Sequence, residues 1–209
     1  MKKMILYTAK NACSLASHIA LEQVGADYEV RVLDFSTNQQ RSLDYLGINP
    51  KGRVPALITE QGIITETPAI LAFICQTWPA ANLAPVQEPF AFAKVQEFIS
   101  YLCSTVHVAH AHLYRGSRWA DDPAAIEAMK KKVPQTVGEC FALIEQELLK
   151  GPWVFGESYT VCDMYLYTVC QWLEADGVDI QRFPKVAALR QRMSADPVVS
   201  RVLARVAAG

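Results

Sequence analysis

Three places in this 209-residue chain carry side chains whose types and spacing could do chemistry: Cys13-Ser14, Glu66-Thr67 and His107. Cys13 falls where a first strand hands over to a first helix. The N-terminal end of a helix stabilises a thiolate, so the position predicts a reactive sulfur with a lowered pKa. Such a sulfur could form a mixed disulfide or hydrogen-bond a ligand's thiolate; the competing reading is a buried, inert cysteine. The Ser14 hydroxyl could donate to a ligand sulfur or simply cap the helix. Glu66 and Thr67 open another helix, where backbone N–H groups and the helix dipole favour an anion. An ordinary helix start, with Thr65 or Thr67 as cap and Pro68 at the first helical position, is compatible with that reading. His107, His110 and His112 invite a metal reading. Only the first two share a helix face and no carboxylate is suitably placed, so no metal is expected. His18, on the first helix, reads as structural.

The elements that must position these groups begin with Asn49-Pro50-Lys51-Gly52-Arg53-Val54-Pro55-Ala56-Leu57. Pro55 opens a strand with a residue that cannot donate to a ladder, and the residue before a proline is pushed into an extended conformation. A cis Val54–Pro55 bond would turn the chain sharply there. It would leave the Val54 N–H and C=O free to pair with an extended, peptide-like ligand as an added strand. The alternative is a plain edge strand after a Gly-Pro loop.

Around that loop, residues 4–8 read as a short buried strand and 14–24 as a helix ended by Gly25. Residues 28–33 form a second strand, so the opening is a βαβ-type unit. A short helix at 42–46, a hairpin of 56–58 with 63–65, and a helix at 66–78 stopped by Pro79 follow. Pro79, Pro85 and Pro89 mark a boundary. Beyond it the sequence predicts helices at about 90–115, 123–149, 160–175, 184–195 and 197–207. The fold class is therefore α/β plus all-α: a mixed domain at 1–80, a linker at 81–89 and an all-helical domain at 90–209. Thr160 and Asp163 form a capping box, with Tyr159 and Met164 placed as its hydrophobic staple.

Composition narrows the function classes. Apolar residues are 51%, charged residues 20% and the net charge is −1, an ordinary globular balance with no footprint for nucleic acid. Lys130-Lys131-Lys132 is the one basic run and reads as a solvated helix face. No apolar run reaches the roughly 18 residues of a membrane helix, and Met1–Tyr7 is too short for a signal peptide. A cytoplasmic location is expected. The six cysteines show no C-x-x-C and no paired zinc spacing, so free thiols are expected.

Taken in order, Ala12-Cys13-Ser14-Leu15, the Val54-Pro55 loop, Thr65-Glu66-Thr67-Pro68, the proline-rich linker and the Thr160/Asp163 box resemble a cytosolic glutathione S-transferase, closest to the bacterial beta class. The resemblance covers nearly the whole chain. It implies a thioredoxin-like first domain with a cis proline at Val54–Pro55, glutathione as co-substrate, no metal, and a homodimer. It also implies a detoxifying transferase that stabilises the glutathione thiolate for attack on small-molecule electrophiles or disulfides. The implied catalytic residues are Cys13, Ser14 and His107. The implied glutathione contacts are Cys13, Arg53, Val54, Pro55, Glu66, Thr67, Ser104 and His107, with Glu66 meeting the ammonium of the γ-glutamyl end and Thr67 its carboxylate. The second substrate is expected in a cleft between the domains, against Leu113, Tyr114 and Trp172. The alternatives are a non-catalytic binding or regulatory protein on the same fold, or a specialised glutathione-dependent isomerase or dehalogenase. The chain departs from the beta-class pattern at Lys10-Asn11, where that class carries Pro-Gly. It departs again at Val108, where a lysine commonly follows the histidine, at Ser100, where an asparagine is usual, and in Ser36–Gln40, where the expected lysine has no match.

Overall fold

The computed structural model describes residues 3–208. Strand β1 (Met4–Thr8) leads into helix α1 (Ser14–Gln23) and strand β2 (Tyr28–Val32), which lies parallel to β1 from Met4↔Tyr28 to Thr8↔Val32. Gly25, at φ +63, ends α1: its N–H reaches Glu22 O and the Ala26 N–H reaches back to Leu21 O, satisfying the last carbonyls of the helix. A short helix α2 (Leu43–Ile48) is capped by the Ser42 hydroxyl, which accepts from the Tyr45 N–H. Strands β3 (Ala56–Thr59) and β4 (Gly62–Thr65) form the predicted hairpin, β3 antiparallel to β1, and the sheet order is β2-β1-β3-β4. Helix α3 (Thr67–Thr77) follows. Leu6, Ile19, Leu21, Leu57, Ile70, Leu71 and Ile74 are fully buried between sheet and helices, so both faces of the element order expected for a thioredoxin-like unit are built.

Helices α4 (Pro89–Tyr101) and α5 (His107–Arg115) are joined without a break by a π-helical segment, Leu102–Val106. Helix α6 (Pro123–Leu143) contains Pro134 and also widens into a π-helical end, Ile144–Leu148. The predicted helix at 160–175 is shorter than expected. Helix α7 (Val161–Cys170) stops where the Gln171 and Trp172 N–H groups turn to Thr168 O and Val169 O, a tightening by one residue that ends the α-helical ladder. Helices α8 (Pro184–Ser194) and α9 (Pro197–Ala208) close the chain.

Packing forms two units, one of residues up to 92 together with those from 193 onward, the other of Ala93–Arg192. Helix α9, placed by the sequence in the helical domain, thus belongs with the first unit. Arg201 Nε reaches Glu22 Oε1 at 3.0 Å and Arg205 Nη1 reaches Glu22 Oε2 at 2.8 Å, tying α9 to α1. Polarity of the exposed face of α9 hid this. The apolar face, with Val199, Val202 and Val206 buried, says only that it packs, not against what. In the second unit the capping box is formed as predicted. Thr160 Oγ1 accepts from the Cys162 N–H at 3.2 Å, and Asp163 Oδ2 accepts from the Thr160 N–H at 2.7 Å.

Candidate active site

The loop ahead of β3 is held from below. Asn49, buried, bridges its own turn: Oδ1 accepts from the Lys51 N–H, Nδ2 donates to Arg53 O at 2.6 Å, and the Gly52 N–H closes back onto Asn49 O. Tyr45 Oη donates to the same Arg53 carbonyl at 2.6 Å. Gly52, at φ +60, is required: a Cβ there would meet Gln40 O at 2.9 Å. These ties, none of them visible in the sequence, carry the chain into a cis Val54–Pro55 bond.

Three elements then converge. Cys13 sits at the N-cap of α1 with φ −60 and ψ −18, half-buried, and its Sγ donates to Val54 O at 3.5 Å. The Val54 carbonyl is therefore engaged, not free as the sequence reading had it. Thr67, buried at the start of α3, has its Oγ1 close enough to Cys13 to favour the thiolate, and it makes no hydrogen bond of good geometry. Glu66 caps α3 at φ +73 and ψ +125, a conformation that costs on the order of 1–3 kcal/mol for a residue with a Cβ and that persists only where the surroundings impose it. Its carboxylate is exposed and paired with Lys51 Nζ, which also donates to Thr65 Oγ1 at 2.6 Å. Arg53 is exposed and within electrostatic reach of Cys13. The structure thus brings Cys13, Arg53, Val54, Pro55, Glu66 and Thr67 together in the first unit.

Two expectations are corrected here. The Cys13 thiol is not activated: burial, with Glu66 adding a nearby negative charge, pushes it up to about 11, against the opposing pull of Thr67, its own backbone N–H and Arg53. The helix-start argument considered the dipole alone, and desolvation wins. At neutral pH the sulfur is an S–H donor. Alkylation by iodoacetamide should accordingly be slow at pH 7.5 and accelerate up to about pH 11, as followed by mass mapping; a rate that saturates below pH 8.5 would contradict this. Ser14 is also reassigned. Its Oγ is fully buried, 2.8 Å from Thr8 Oγ1 and 3.4 Å from the Ala9 N–H that donates to it, so it fastens α1 to β1.

The remaining candidates lie in the second unit. Ser104 is exposed in the π-helical segment and donates to Ser100 O at 2.7 Å. His107 opens α5, half-buried, with its ring 5.0 Å from the Trp172 ring. Leu113 is half-buried, Tyr114 exposed, and Trp172 buried. Sequence reading weighed His110 only as a metal ligand and passed over Asp176. The His110 ring stacks on Trp172 at 4.3 Å, and its Nδ1 lies 2.7 Å from the buried Asp176 carboxylate. Asp176 is 66 residues away in sequence, and no local signal links the two. Among the described residues no group of His, Cys, Asp and Glu is arranged to hold a metal ion, and none of the six cysteines is in a disulfide.

Residues 2–76 match the N-terminal domain of glutathione S-transferases and residues 102–197 match the C-terminal domain. The chain is 31% identical to glutathione S-transferase GstA of Escherichia coli O157:H7, over 96% of this chain and 97% of that one. A glutathione transferase homologue from Sulfitobacter, solved with bound glutathione, superposes with a TM-score of 0.94 at 42% identity, covering 98% of this chain and 99% of the other. A beta-class glutathione S-transferase from Sphingomonas chungbukensis superposes with a TM-score of 0.84 at 30% identity, covering 97% and 98%. With both domain types matched in order and the likeness running end to end, the chain belongs to the glutathione S-transferase family.

Proposed function

We propose that this chain, an enzyme of the glutathione S-transferase family, holds glutathione on its first unit and directs the glutathione thiolate onto an electrophile or a disulfide. The observation that carries the reading is the buried, unpartnered Thr67 hydroxyl at the start of α3, beside Cys13 and next to a conformationally forced Glu66. A buried hydroxyl without a partner costs free energy, and a ligand carboxylate at a helix start would supply one. Glu66 would meet the γ-glutamyl ammonium in exchange for Lys51, and the Val54–Pro55 segment, with Arg53, would align the peptide backbone of glutathione.

Cys13, held as a thiol, donates from Sγ to the glutathione sulfur in place of Val54 O. A hydrogen bond to the charged form favours ionisation, and the thiolate is the nucleophile. Holding the two reactants side by side supplies the remainder. His107 and Ser104 are the glutathione contacts proposed for the helical unit, and Leu113, Tyr114 and Trp172 its second-substrate side. No metal takes part in this reading. We also propose a homodimer in the cytoplasm; among the described residues no helix is long and apolar enough to cross a membrane.

Calorimetry with reduced glutathione tests the first step: saturable binding is expected, and none at millimolar ligand would overturn the function. Glu66→Ala should weaken binding by about 1–3 kcal/mol, the range for a charge-assisted hydrogen bond. An unchanged affinity would return Glu66 to a plain helix start. Light scattering should give twice the mass of one chain at micromolar concentration, and a monomer there would exclude the dimer.

A further inference from the structure

The second unit holds a polar pair where packing alone would favour apolar groups. The Asp176 side chain is 2% exposed and that of His110 16% exposed. A carboxylate only accepts, so His110 Nδ1 donates to Asp176 Oδ1 across 2.7 Å, and this leaves the ring's other nitrogen, Nε2, as the one turned away from Asp176. Taking a carboxylate out of water against one imidazole is costly, and well-packed hydrophobic residues in place of such a pair are often no less stable. The ring itself is held flat on Trp172, 4.3 Å away and inclined by 18°, while the exposed Tyr114 stands edge-on at 5.9 Å. One nitrogen that can carry a proton is thus set among two aromatic side chains already proposed as the second-substrate side.

We propose that His110, positioned by Asp176, is the proton donor to the second substrate, and that it selects planar α,β-unsaturated carbonyl compounds among electrophiles. This rests on the reading of Tyr114 and Trp172 given above. The step balances without further reagents. The glutathione thiol loses its proton to solvent, and a sulfur lone pair forms the C–S bond at the β-carbon. The C=C π pair moves to make an enolate, whose charge lies on oxygen. His110, as imidazolium, gives its Nε2 proton to the enolate, and the neutral ring, still donating Nδ1–H to Asp176, takes a proton back from solvent. Aryl halides need no such donor, since the halide leaves with its own electron pair.

The test compares two probes, benzylideneacetone and chlorodinitrobenzene, on the full chain with saturating glutathione. His110→Phe keeps a ring on Trp172. It should lower kcat/KM for the enone at least about a hundredfold further than for the aryl halide, the lower end of what a positioned acid contributes. Asp176→Asn should shift the ratio the same way by a smaller factor. Equal losses on both probes would overturn the proposal, because they would mark a structural role. Tyr114→Ala, at an exposed position, reports separately on the second-substrate side. If it raises KM for both probes while His110→Phe leaves their ratio unchanged, the proton donor is wrong and the substrate side stands. If Tyr114→Ala also changes nothing, the substrate side fails and the proposal with it.

Discussion

Asp163→Ala should destabilise the protein by about 3–5 kcal/mol, the largest effect expected of any single substitution considered. Its carboxylate is fully buried and shared between two backbone groups: Oδ1 accepts from the Val154 N–H at 2.7 Å, and Oδ2 accepts from the Thr160 N–H at 2.7 Å and the Thr160 hydroxyl at 3.1 Å. Truncation leaves both N–H groups buried without an acceptor, at about 1–3 kcal/mol each, and removes half of the box that starts α7. Thr160→Ala, which removes only the cap hydroxyl, should cost about 1 kcal/mol. Urea titrations of the two variants against the parent measure this. A loss under about 1.5 kcal/mol for Asp163→Ala would mean that water or a backbone shift satisfies the exposed N–H groups, since that is near the cost of one unpaired group alone.

The charge on Asp163 is expensive even so. Burial pushes its carboxyl up to about 6, against the pull of the Val154 and Thr160 hydrogen bonds. The folded state takes up this proton at higher pH than the unfolded chain, whose carboxyl titrates near 3.8. Its contribution is therefore fullest below about pH 4 and declines as pH rises through 6.

What could be read in the sequence follows the range of the interactions. The capping box, the Gly25 helix end and the Gln61-Gly62 hairpin are settled within a few residues, and each formed as expected. The clustering of Cys13, Val54, Glu66 and Thr67 was expected from the resemblance to glutathione S-transferases, since no local pattern ties the three segments together. Its electrostatics were not: whether Cys13 is a thiol depends on how much surrounds it, and that is a tertiary quantity. The engagement of Ser14 was hidden for the same reason, since Thr8, six residues earlier, meets its hydroxyl across a strand–helix contact. The Asn49 and Tyr45 ties to Arg53 O, the His110–Asp176 pair and the docking of α9 all join groups whose side-chain direction no periodicity reports.

Acid should loosen the first unit through His18. The side chain is fully buried in α1, neither ring nitrogen has a hydrogen-bond partner, and the Tyr28 ring stands edge-on at 5.6 Å. Burial first, and the nearby Arg205 guanidinium second, lower its pKa to about 4, with Glu22 pulling the other way. In the unfolded chain the imidazole titrates near 6.5, so between the two values the unfolded state binds more protons than the folded one. Stability is thus fully present above pH 6.5 and falls as pH drops toward 4, by about 3 kcal/mol at about 1.4 kcal/mol per pKa unit. The loss coincides with the window in which Asp163 contributes the opposite sign, so the parent's curve alone would hide it. Comparison with His18→Phe, which fills the same apolar site without a titrating group, isolates the effect. The parent should lose about 2–3 kcal/mol more than the variant between pH 7.5 and 4.5 in urea titrations. Glu22, bonded by Arg201, Arg205 and Tyr28, is unchanged in the variant and cancels in the difference. Parallel curves for the two proteins would show that His18 is protonated in the folded state without penalty, with water reaching the α1–α9 contact to meet it.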